Sequence, residues 1–593
     1  MRRRRLLLLA ALLCLTAGGL RAQESPPAAA SILPVKEIRP GMRGVAYTVL
    51  QGTEVVPIQV EIMGVAENAM GPGLDLIIGK LVDPKTAVCG AVHGMSGSPL
   101  YIDGKLAGAL SRRLTTFEKD AQCGFTPIES MLQVGEMASS ASAMAAPFSP
   151  FHLAKGDTLV EPPAPRFETL GVPFSATGLS GQALGELWRA LGFSGSGFIP
   201  VSAGGSGSLA RLSGAELKPG GAVSAVLMSG DLNVVGTGTV TTRTGNRLLA
   251  FGHGMQEAGA SAWGLAPAEI ITTIPSYAEA FKMSNAGPLV GTVDQDRLCA
   301  IAGKVGPLPP LADYRIEIVH NGKASPTLKG RFVTDKNTVP LLVATAAAAA
   351  MQDSNRVGRT LFLHVSGELR FRDSAVPPLK MDEIASGEDF EARKALMTLV
   401  EPVEIFYGQP WPVVPPASLT LRVETAEEVR AWTVEETRVD KRSVDPRGTL
   451  GVDVVLRERY GNRQVRHFDV ALPPALKQGP FRIRASGAMG LDLPAISDTA
   501  PAIEDAAQYV ALFNRRHRAD RLYLQIVSDA PGRVVGDRQL PALPPSVLSV
   551  TGRDAAASGA KTVSMGEQVW YETSAEMPGV VGGQQSVFLD IHS

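Results

Sequence analysis

The stretch from Gly94 to Leu110, G-M-S-G-S-P-L-Y-I-D-G-K-L-A-G-A-L, constrains the fold more tightly than any other part of the 593-residue chain. Glycines around Ser96 and a proline at position 99 call for a tight turn. The apolar run that follows, broken by Asp103-Gly104, calls for a β-hairpin. A serine on such a turn can serve as a nucleophile, because small neighbours let two backbone N–H groups converge on a developing oxyanion. Here those groups are the amides of Gly94 and Ser96. The same residues also read as a plain structural turn.

The pentad G-x-S-G-S recurs at Gly192 to Ser196 and Gly204 to Ser208. Both later copies sit in a Gly/Ser-rich stretch that reads as a connector, and only the first is followed by proline and a strand-turn-strand pattern.

Two separate segments carry a family resemblance. GMSGSPLYIDGKLAGAL resembles the nucleophile segment of the SpoIVB-type serine peptidases, and VGTGTVTTRTGNRLLAFGHGM, from Val235 to Met255, resembles their histidine segment, a strand ending in G-H. The resemblance implies a chymotrypsin-like pair of β half-barrels, with Ser96 as nucleophile and His253 as general base. It also implies a carboxylate a little over a dozen residues before the serine. Asp83 lies nearest that position; Asp75, near a strand end in GPGLDLIIGKL, is its rival. His93 matches a family position that is not catalytic and reads as a cleft-lining residue. In the family namesake the histidine precedes the serine, whereas here Ser96 comes first, which implies circularly permuted half-domains. A further stretch, LVGTVDQDRLCAIAGKVG, resembles the family downstream of its histidine.

The N-terminus MRRRRLLLLAALLCLTAGGLRA has a basic region, an apolar region and a small residue at Ala22, the layout of a cleavable signal peptide over 1–22. A periplasmic or secreted product is expected. The alanine run around Ala346 is too short to span a bilayer. Export permits disulfides, and Cys89 with Cys123 would bracket the serine loop, leaving Cys299 over. No cysteine or histidine pair has zinc-ligand spacing, and no phosphate-binding loop occurs, so neither metal nor organic cofactor is expected. A net charge of −1 gives no electrostatic footprint for nucleic acid.

Hydrophobic alternation predicts a mainly β chain. Residues 32–136 read as a β half-barrel carrying Ser96, 137–221 as a linker with one short helix and the Gly/Ser connector, and 222–390 as a second half-barrel carrying His253. Within the last, LAPAEIITTIPSYAEAFKMSN reads as a helix interrupted by Pro275, and Glu269 and Asp294 as surface residues. After the Pro-rich GQPWPVVPPAS, 417–593 reads as one or two β-sandwiches with a helix near Ala506 to Arg515, a candidate region for a protein partner. The reading is an exported serine endopeptidase acting on protein or peptide through an acyl-enzyme. The alternative is a non-catalytic, peptidase-like scaffold or binding module of the cell envelope.

Overall fold

The computed structural model describes residues 25–592 apart from 28–30, 87–88, 115–119, 138–166, 191–197, 202–210, 277–278, 355–359, 388–391, 492–504, 551–561 and short stretches between 446 and 549. The signal segment, most of the linker and the two later pentads fall outside the described residues. The chain divides into two units, one of residues 1–311 and 330–338, the other of 312–329 and 339–593.

In the first unit, β1 (Arg43–Val49), β2 (Val55–Gly71), β3 (Leu74–Leu81), β4 (Pro99–Ile102), β5 (Lys105–Leu114) and β6 (Gln122–Pro127) lie in the order β4-β1-β2-β3-β6-β5. The pairing of β5 back onto β4 closes a barrel of these strands, which leaves no unpaired edge along the closed part. Alternate residues of these strands point inward. Ala46, Ile58, Val60, Ile62, Ile77, Leu100, Leu110 and Phe125 fill the interior, each large one worth roughly 1.5–3 kcal/mol on full burial. Asp103 and Gly104, at φ 49° and 75°, make the hairpin turn between β4 and β5. The helix α1 (Ile128–Glu136) buries Ile128, Met131 and Val134 in one cluster with Leu249, Ala300 and Ala302 of the second barrel.

Between the barrels come β7 (Phe167–Thr169), β8 (Val172–Ala176), α2 (Gly181–Ala190) and β9 (Phe198–Val201). The second barrel comprises β10 (Ala222–Gly230), β11 (Val234–Thr244), β12 (Arg247–Ala250), β13 (Gly259–Ile274), β15 (Gly291–Arg297) and β16 (Ala300–Val305), with β14 (Phe281–Ala286) paired to the far half of β13. Its order β10-β13-β15-β16-β12-β11 closes through the β10–β11 pairing. Two points differ from the sequence reading. The segment expected as a Pro-broken helix is the later part of β13 and β14, because the run Ile270-Ile271-Thr272-Thr273-Ile274 favours a strand and pairs with β14, while the earlier part of β13 pairs with β10 and β15. The second barrel also closes by Val305, and of the stretch from Ala312 to 390 only residues 330–338 fall in its unit, where Gly330, Arg331 and Phe332 pair with β10.

In the second unit, the strands Leu379–Ser386, Phe362–Phe371, Pro416–Ala426 and Leu311–His320 are neighbours in that order, the last two parallel, with the helices Val339–Ser354 and Ala392–Gly408 packed on them. Two further sheets share one core, in which Val452, Val454 and Leu456 of one sheet meet Ile483, Leu524 and Leu589 of the other: a β-sandwich. The fold is therefore mainly β, two chymotrypsin-like barrels followed by further β structure. Among the described residues no helix is long and apolar enough to cross a membrane.

Candidate active site

The serine turn is set by which amides are engaged. The N–H of His93 donates to Ala280 O, that of Met95 to Val92 O, that of Gly97 to Leu110 O and that of Ser98 to Met95 O. The amides between them, Gly94 and Ser96, donate to nothing among the described residues. Gly94 and Gly97 hold φ at +92° and +93°, a conformation that glycine adopts without strain, and this alternation turns two N–H groups away from their neighbours. The Ser98 hydroxyl closes the turn on Met95 O at 2.6 Å.

The second barrel supplies the other wall. Thr239 on β11 donates its N–H to Ser96 O at 2.8 Å and accepts from Phe251 N at 3.2 Å, so one residue is bonded both to the serine turn and to the loop of His253. Thr239 Oγ1 and Thr241 Oγ1 donate to Gly94 O and Gly97 O. Phe251 and Gly252 both have φ of +68°, which for a bulky residue is strained. The conformation is held by burial of the Phe251 ring against Gly238 and by the bond from Thr126 Oγ1 to Gly252 O at 2.6 Å.

His253 is 2% exposed and Ser96 fully buried. The imidazole Nδ1 donates to Gly254 O at 2.6 Å, while His253 Nε2 and Ser96 Oγ have no hydrogen-bond partner among the described residues. A carbonyl only accepts, so the proton sits on Nδ1 and Nε2 carries a lone pair, the tautomer a general base needs. Burial first, then the Arg112 guanidinium, lowers the imidazole pKa to about 3, so the ring is neutral at ordinary pH.

This shift sets an acid dependence. Between the ordinary value near 6.5 and about 3 the unfolded chain takes up a proton at this ring that the folded chain refuses, so stability is lost as pH falls through that window. Asp296 acts oppositely: burial raises its pKa to about 6, and its contribution is lost as pH rises through that value. Wild type and His253→Gln should therefore be compared. From pH 7 to 5, wild type should lose on the order of 2 kcal/mol relative to the variant in urea unfolding. Parallel pH profiles would remove the buried neutral ring from the account.

Asp296 was not singled out from the sequence. Its carboxylate accepts from the amides of Met255, Gln256 and Ala258 at 2.6, 2.7 and 3.1 Å and so fixes the loop that follows His253. Lys282 was missed too. It is 1% exposed, its Nζ donates to Thr48 Oγ1 at 2.7 Å, and burial lowers its pKa to about 7. Its stem backs the oxyanion side of the turn, 3.2–3.3 Å from where a side chain on Gly94 would start.

The carboxylates expected from the sequence are engaged elsewhere. Asp83 accepts from Lys85 N at 2.9 Å and from Gln59 N at 3.4 Å, holding the turn over Pro84–Thr86. Asp75 accepts from Asn68 N at 2.9 Å in the β2–β3 hairpin. The atom opposite His253 Nδ1 is a main-chain oxygen. His93 Nε2 lies 2.8 Å from Glu279 Oε2, and Glu279 also meets Arg113, which together hold its carboxyl below the usual range. Glu269 pairs with Arg211, and Asp294 with Arg247. No disulfide joins Cys89 to Cys123: Cys123 fills the first barrel's core and Cys89 packs against the same cluster, both as small apolar groups.

The serine turn of one β-barrel, with two unengaged amides, is thus joined through Thr239 to the histidine loop of a second, and the two barrels are of the chymotrypsin-like kind. Residues 19–132 match the family described as SpoIVB peptidase S55. The matched segment, which ends in α1 and includes the Ser96 turn, is similar to the SpoIVB type, a family of serine peptidases. No curated protein and no solved structure matches the chain.

Proposed function

We propose that the protein is an exported serine endopeptidase that cleaves peptide bonds through an acyl-enzyme at Ser96. The observation that carries this reading is the alternation of engaged and unengaged amides around Ser96, which leaves two donors for an oxyanion beside an unbonded hydroxyl. In the reaction, Ser96 Oγ attacks the carbonyl carbon of the substrate while His253 Nε2 takes its proton. The amides of Gly94 and Ser96 hold the oxyanion. Collapse expels the amine, which leaves with the proton from His253, and water then hydrolyses the ester at Ser96 by the same path. The Gly254 carbonyl orients Nδ1–H, the task that a carboxylate performs in a full triad, so Asp83 and Asp75 are given no part. The basic and apolar N-terminus supports action outside the cytoplasm, and the C-terminal sandwich is the candidate docking region for a partner.

One observation favours a second reading, a non-catalytic scaffold: Ser96 is fully buried and its histidine has no carboxylate partner among the described residues. A fluorophosphonate probe on the mature protein separates the two. The peptidase reading expects labelling that disappears in Ser96→Ala and in His253→Ala. Absence of labelling in the wild type across pH 6 to 9, even after the internal strand described next is weakened, would leave the scaffold.

A further inference from the structure

The edge of β5 beside the serine turn is filled by the chain itself. β4 begins at Pro99, opposite Ala109, so beyond Ala109 β5 has no partner from β4 on that side. β7 occupies this edge, antiparallel, with Thr169 opposite Arg112, Glu168 opposite Arg113 and Phe167 opposite Leu114. One residue further on, Leu170 donates its N–H to Ser111 O at 2.9 Å. The chain then crosses to the oxyanion side, where Pro173 Cγ lies 3.2 Å from where a side chain on Gly94 would start. Ser111 directly follows Leu110, whose carbonyl and amide bond Gly97 and Ser98, so the segment passes from one flank of Ser96 to the other. Leu170 is fully buried, in the same cluster as Val92, Met95 and Ala280.

An extended segment added to a sheet edge, its main chain bonded and one side chain in a pocket, is how peptides are bound by strand addition. We propose that residues 167–173 are a substrate-like strap that occupies the peptide-binding edge, residues 111–114 of β5, with Leu170 on the N-terminal side of the position where a scissile bond would stand. The inference rests on the peptidase reading and narrows it: the substrates are extended peptides with a leucine-sized aliphatic side chain before the cleaved bond, and they compete with the strap for the edge. The amides of Gly94 and Ser96 stay unengaged, so no carbonyl of the strap occupies them.

The test uses the mature full chain with Ser96→Ala, so that nothing is cut, and a fluorescein-labelled peptide Phe-Glu-Thr-Leu-Gly-Val-Pro, the strap's own sequence. Glu168→Pro removes one strap N–H, and Leu170→Ala empties the pocket; a melting curve checks that each is folded. Either variant should bind the peptide at least tenfold more tightly than the parent, and a peptide with aspartate in place of leucine should lose that gain. Equal binding by parent and both variants, or equal binding of the leucine and aspartate peptides, overturns the proposal. Fluorophosphonate labelling of Glu168→Pro with Ser96 intact keeps the two readings apart. Peptide binding without labelling removes the peptidase and leaves the edge, whereas labelling at an unchanged rate without peptide binding does the reverse.

Discussion

Alanine at Ser96 should lower the hydrolysis of a leucine-containing fluorogenic peptide by about 10⁴–10⁶-fold, and alanine at His253 should do nearly as much. The effect is large because the nucleophile is a single oxygen with no substitute nearby: the Ser98 hydroxyl, two residues on, is committed to Met95 O. The double variant should be no slower than the worse single one, since serine and base act on one proton in one step and their contributions do not add. Residual activity reflects only what the Gly94 and Ser96 amides and peptide binding supply. Initial rates of the three variants, purified identically, decide the matter. More than a hundredth of the wild-type rate in Ser96→Ala would place the chemistry elsewhere.

Alanine at Gly97 should be less damaging to labelling than alanine at Ser96 and far more damaging to the fold. A Cβ there would start 2.0 Å from Thr239 O and 2.4 Å from Phe251 N, both main-chain atoms that cannot swing aside, at a φ of +93°. Steric overlap and the left-handed backbone together cost roughly 2–5 kcal/mol. If the barrels survive, the turn must slide off Thr239, and a displacement of about 1 Å at the reacting atoms costs on the order of a hundredfold in rate. Gly104→Ala is the control. It has comparable φ, +75°, but nothing within 4 Å, so it should lose about 1–2 kcal/mol and label normally. Similar losses in the two variants, by thermal melting and labelling, would show that backbone strain alone was measured and that the junction at Gly97 carries no special burden.

The parts of the architecture legible in the sequence are those encoded locally. The Asp103-Gly104 turn, the glycines around Ser96 and the alternating strands of the first barrel each declare themselves within a few residues. The β13 strand was misread because its apolar spacing also satisfies a helix, and the choice is made by β10, β14 and β15, which the local pattern does not contain. Asp296 was hidden for a related reason: its carboxylate serves amides some forty positions earlier, a relation that no spacing expresses. Asp83 shows the opposite trap. It stands near the right distance from Ser96 along the chain, but a proline follows it, and an Asp-Pro pair tends to hold its own turn. The strap is not legible in the sequence because FETLGVP, coming just after a low-complexity stretch, has no marker beyond ordinary strand character, and its meaning comes from the edge it meets.

The proposed nucleophile and base, Ser96 and His253, belong to different barrels, and the residue that joins their loops, Thr239, lies on a strand of the later one. During synthesis the serine turn emerges with the first barrel while its proton acceptor is still unmade, so a nascent chain holds a hydroxyl with ordinary alcohol reactivity. On the peptidase reading, this order of appearance keeps the serine without its base until the second barrel is made. A chain ended before His253 carries the Ser96 turn without the proposed base.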